Sequence, residues 1–189
     1  TASGGGPMSV DQPGGARTIN WGVQLYTVRD RLTKDAAATL ERIAAIGYKE
    51  LEILQPTLPV VAPIARRLGL TIVSAHLDQK TTAGDGVAAF AAQAKANGVA
   101  ALVVPYIPVG DRPQDRAGFQ KLAERLARMS DEVRGAGLEL WYHNHAFEFA
   151  TDSDGTRWLD VVMQRTAAAQ MKLQLDVFAW HYRRRKPSF

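Results

Sequence analysis

The chain of 189 residues has no cysteine. Disulfides and thiolate metal centres are thereby excluded, and the redox compartment is left open. It has no apolar run of the roughly 18 residues that a membrane-spanning helix requires, so no membrane partner is expected. It also has little net charge outside one short stretch. Residues 183–186 read RRRK; without them Lys and Arg number 19, matching the 19 Asp and Glu. A body that is neutral lacks the broad basic face of a nucleic-acid binder, so no nucleic-acid partner is expected. No Gly-x-Gly-x-x-Gly follows the first β-like run, which argues against a dinucleotide-binding half-sheet.

What is present is an ordinary globular composition, 46% hydrophobic and 22% charged, enough for one domain with a core. The first 20 residues, rich in Gly, Pro and Ser, read as a flexible leader. The chain begins with Thr, which implies that something preceded it. The expected location is cytoplasmic, or exported (periplasmic) after removal of an upstream signal. Residues 183–189 read as a basic tail, leaving 21–182 as the folded domain.

Within that domain one unit recurs: an Ala-rich amphipathic helix, a glycine, then a β-branched run. "LERIAAIGYKELEI" turns at Gly47, "VAPIARRLGLTIVSA" at Gly69, "FAAQAKANGVAALVV" at Gly98 and "MSDEVRGAGLELWYH" at Gly137. A glycine past a helix end adopts the left-handed capping conformation at little cost. The spacing predicts strands over 21–26, 50–54, 71–75, 101–105, 138–143 and 171–177. It predicts helices over 35–46, 58–68, 86–96, 113–134 and 157–166. Alternation of this kind requires a parallel sheet with right-handed crossovers. Either an open doubly wound sheet or a barrel satisfies it.

The polar residues favour the barrel. Gln24, Glu52, His76 and Tyr106 fall at the ends of the first four strands. His143, Asn144, His145 and Glu148 follow the fifth, in "YHNHAFEF", and Asp176 ends the sixth. In a (β/α)₈ barrel, chemistry sits at the C-terminal ends of the strands, and here every strand delivers a polar group there. The expected fold class is α/β, a TIM-barrel type with about six β/α units.

The blocks "WGVQLYTVRDRL", "AAIGYKELEI", "SAHL" and "YHNHAFEF" with "LQLDVF", in that order over 21 to about 180, resemble the sugar phosphate isomerase/epimerase family of xylose isomerase-like TIM barrels. The resemblance implies a sugar isomerase or epimerase that moves a proton next to a sugar carbonyl through an enediolate, assisted by one divalent metal. It implies Mn²⁺ or Mg²⁺, with Co²⁺ or Zn²⁺ as substitutes. Glu148 and Asp176 match two of the family's metal ligands. Glu148, His145 and His143 are the candidate catalytic residues. Gln24, Glu52, His76, Tyr106 and Asn144 are the candidate contacts to a small carbohydrate. The family's ligands from strands seven and eight have no counterpart in this sequence. Six strands leave two barrel edges open, so a homo-oligomer is expected to cover them. The alternative reading is a non-catalytic barrel remnant that binds carbohydrate or self-assembles. A DNA-repair endonuclease, also related to the family, is disfavoured by the neutral body.

Overall fold

The computed structural model describes residues 21–84 and 86–185. The leader (1–20) and the end of the basic tail (186–189) lie outside the described residues. Six parallel strands form one sheet: β1 Gly22–Gln24, β2 Glu50–Leu54, β3 Thr71–His76, β4 Ala101–Val104, β5 Glu139–His143 and β6 Lys172–Gln174. Their spatial order is their chain order, β1-β2-β3-β4-β5-β6. A doubly wound sheet reverses direction at a switch point; this one never does. It curls instead into an incomplete (β/α) barrel. Among the described residues, no helix is long and apolar enough to cross a membrane.

The helices are α1 Arg29–Lys34, α2 Ala36–Ile46, α3 Leu58–Leu68, α4 Gln79–Thr82, α5 Val87–Ala96, α6 Arg116–Gly135, α7 Trp158–Thr166 and α8 Val177–Arg185. Of these, α2, α4 and α6 each start on an aspartate whose side chain accepts a backbone N–H of the first turn. Asp35 serves α2, Asp78 serves α4 and Asp115 serves α6. The expected glycines carry positive φ; Gly69, at 66°, closes α3 with N–H groups returning to the last turn. Some expectations need correction. The first strand stops at Gln24, because Leu25–Val28 coil into a 3-10 turn leading to α1. The last strand stops at Gln174, and residues 177–185 form α8, where no helix was expected. Asp176 accounts for the change, since its Oδ1 accepts the N–H of Ala179 and starts a helix.

Parallel partners share a face, so the register sorts the side chains. Leu51, Ile53, Ile72, Ala75, Leu102, Val104, Leu140 and Tyr142 turn outward and are buried with the helices in the hydrophobic core. Gln24, Glu52, Ser74, His76, Trp141, His143 and Gln174 turn inward. One irregularity decides this. The register shifts between Leu51 and Glu52, so that Leu51 pairs with Ile72 but Glu52 pairs with Ser74. A one-residue slip exchanges the faces of a strand. Without the shift, Ser74 and His76 would follow Ile72 into the core.

Candidate functional site

The C-terminal ends of the strands open on a cleft of about 860 Å³. Of the residues singled out in the sequence, it is lined by Gln24, Glu52, His76, Tyr106, His143, His145 and Asp176. Asn144 and Glu148 are not among its lining residues. Tyr26, Asp78 and Gln174 line it and were not singled out.

Glu52 lies at the centre of the inner face and is 9% exposed. Its Oε1 faces His76 Nε2 at 2.7 Å. Its Oε2 accepts the Ser74 hydroxyl at 2.6 Å and the side-chain amide of Gln174. Burial on its own would raise the Glu52 carboxyl. The hydrogen bond and charge of His76, with the bonds from Ser74 and Gln174, outweigh burial and hold it below the ordinary value. Glu52 is therefore a carboxylate that accepts and does not donate. The bond from Gln174 joins β6 to β2, strands far apart in the sheet order, and it measures how strongly the sheet has curled.

His76 is tied on both nitrogens, with the Gln24 amide 3.3 Å from Nδ1. His143 stands beside it, ring centroids 5.4 Å apart, and His145 follows at 5.3 Å from His143. Tyr106 closes this row, edge-on to His145 at 5.2 Å. His143 Nε2 lies 3.7 Å from Asp176 Oδ2, both side chains being about three-quarters buried. Burial, and then the neighbouring His143, lowers the pKa of His145 and favours its neutral ring. His145 Nδ1 is buried and has no hydrogen-bond partner among the described residues.

Glu148 has a different place. Its Oε1 accepts the Tyr142 hydroxyl at 2.8 Å, and its Oε2 accepts the backbone N–H of His145 at 2.8 Å. Tyr142 belongs to the outward, core-facing side of β5, so Glu148 points into the packing behind the cleft. Burial raises its pKa, against the bonds from Tyr142 and from the backbone of its own loop. Asn144, fully buried, accepts the Asp176 N–H at 3.0 Å on Oδ1. Both residues therefore hold the loops that carry His145 and Asp176.

Among the described residues, no group of three or more His, Asp or Glu is placed to hold a metal. His143 and Asp176 offer two donors, and both oxygens of Glu148 are already engaged. The described residues alone therefore do not fit a resident divalent ion, which takes a fuller oxygen-rich shell.

No protein-family model matches the chain, and no curated protein sequence matches it. Solved structures do. A sugar phosphate isomerase/epimerase from Parabacteroides distasonis superposes with a TM-score of 0.72 at 22% identity, over 92% of this chain and 71% of that one. D-psicose 3-epimerase from Clostridium cellulolyticum, solved with D-tagatose, gives 0.55 at 17% identity, over 78% and 60%. A xylose isomerase-like TIM barrel protein from Mycobacterium smegmatis, in complex with magnesium, gives 0.50 at 13%, over 75% and 55%. The chain thus shares the TIM-barrel fold of these structures. The chain spans less than two thirds of the latter two proteins.

Proposed function

We propose that the chain is a sugar isomerase/epimerase-like protein that binds a small carbohydrate in the cleft and moves a proton next to its carbonyl. The observation that carries this reading is the convergence of Gln24, Glu52, His76, His143, His145 and Asp176 on one cleft at the strand ends. Isomerisation or epimerisation of a sugar needs a base to take the proton and donors to hold the developing oxyanion. His143, beside Asp176, is the group proposed to take the proton. His145 and Tyr106 are proposed to meet the sugar oxygens. Glu148 and Asn144 are proposed to position the loops and not to touch substrate. The solved relatives named for sugar isomerisation and epimerisation lend the substrate class.

A second reading, carbohydrate binding without turnover, draws on the missing third metal donor among the described residues. One experiment separates the two. The chain is incubated with D-fructose or D-tagatose in D₂O, and loss of the proton next to the carbonyl is followed by ¹H NMR, beside calorimetric titration of the same sugars. Exchange that disappears in His143→Ala supports proton transfer. Binding without exchange supports the second reading, and neither binding nor exchange removes both.

A further inference from the structure

Gln174 is the one inner-face residue of β6 that touches three other members of the polar network. Its Nε2 donates to Glu52 Oε2, and its Oε1 lies 2.9 Å from His143 Nδ1 and 3.3 Å from His76 Nε2. We propose that Gln174 is a positioning residue that fixes His143 as the Nδ1–H tautomer, so that its bare Nε2 faces Asp176 and the cleft.

The orientation of the amide follows from Glu52. A carboxylate has no hydrogen to give, so the end of Gln174 that faces it must be the NH₂. The carbonyl oxygen then faces the two imidazoles and can only accept. His143 must therefore place its ring proton on Nδ1 to make the 2.9 Å bond. A flipped amide would set two acceptors against each other at Glu52 and two donors against each other at His76 Nε2, whose proton Glu52 already holds. His76 is fixed in the opposite sense. Its Nδ1 faces the Gln24 amide and its Nε2 faces Glu52 Oε1 at 2.7 Å, so Nε2 carries the proton. Two adjacent imidazoles thus hold opposite tautomers, set by one carboxylate through one amide. A ring nitrogen fixed by its hydrogen bond defines what the other nitrogen can do. Here the other nitrogen of His143 is the lone pair that a proton acceptor needs. The functional meaning rests on the proton-transfer reading given above, but the tautomer does not.

The test is long-range ¹H–¹⁵N NMR of the histidine rings at about pH 8.5, two units above the ordinary imidazole value. In the wild type, His143 should carry its proton on Nδ1 and His76 on Nε2. In Gln174→Met, which keeps the volume and removes the amide, His143 should shift to the Nε2–H form that imidazole prefers in water. His76, still held by Glu52, should keep its pattern and serves as the internal control. A wild-type His143 protonated on Nε2 overturns the assignment, and so does a Met variant that keeps Nδ1–H. If both rings change in the variant, the network has collapsed, and the wild-type spectrum alone decides. Should sugar exchange fail while His143 is Nδ1–H, the proton-transfer reading falls and the tautomer assignment stands.

Discussion

Replacing Glu52 by Gln tests the polar network at its centre. The substitution keeps shape and removes one charge. In the native site the carboxylate accepts from His76 Nε2, Ser74 Oγ and Gln174 Nε2. A glutamine supplies only one oxygen. If that oxygen faces Ser74 and Gln174, its NH₂ meets the N–H of His76. If it faces His76, the NH₂ meets the amide donors of Gln174. With the native tautomer and amide orientations kept, one buried donor is stranded either way, at about 1–3 kcal/mol, and bonds to a charged acceptor are replaced by weaker ones. A loss of about 3 kcal/mol corresponds to roughly 6–12 °C in Tm for a domain of this size. The loss should depend on pH in a definite sense. The folded value of Glu52 lies below its unfolded value, so its contribution is present above the unfolded value near ~4.3 and is lost as pH falls through the folded one. Calorimetric unfolding of both proteins from neutral to acid should show a Tm gap widest near neutrality that closes at low pH. A gap under about 1 kcal/mol at neutral pH, or one that grows on acidification, refutes the assignment of Glu52 as a buried, multiply bonded carboxylate.

Tyr142→Phe should destabilise by about 1.5–3 kcal/mol, because it strips a donor from the buried Glu148 carboxyl. Glu148 already sits above its ordinary value, so the deficit in denaturant titrations should deepen as pH rises through that raised range. An effect independent of pH would show that Glu148 does not titrate against Tyr142. Among the described residues the sheet pairs β1 and β6 on one side only, and Leu173, Leu175 and Val177 near the open end are exposed. The chain of this length should therefore self-associate, and a concentration-independent monomer mass in light scattering would contradict that.

The architecture was legible because its signals are local. Gly47, Gly69, Gly98 and Gly137 mark helix ends by a conformation that only glycine adopts freely, and α3 and β2 occupy the predicted spans without adjustment. The error at the last strand falls where a single side chain redirects the backbone. Asp176 ends the last strand by capping α8, and nothing in "QLDVFAWHY" distinguishes a capping aspartate from a strand-end one without knowing which N–H lies beside it. The arrival of six strand-end polar groups at one cleft was legible too, since parallel strands have only one C-terminal end to share.

How those groups bond was not legible, and the reason lies in parity. Which face a strand residue takes depends on every register step before it. The shift between Leu51 and Glu52 that turns Ser74 and His76 inward leaves no mark in "LEIL" or "TIVSAH". Glu148 shows the same limit. It stands close to His145 in sequence and looks like a cleft carboxylate, yet the loop returns it to Tyr142, whose parity within β5 puts it on the core side. Gln174, by contrast, could have been found. It ends β6 opposite His143, two residues after Lys172, which pairs with the inward-facing Trp141, and alternation along the strand aims it at the barrel interior. An amide in that place has few ways to be satisfied among carboxylates and imidazoles. That scarcity of partners is what lets one glutamine dictate where the proton of His143 resides.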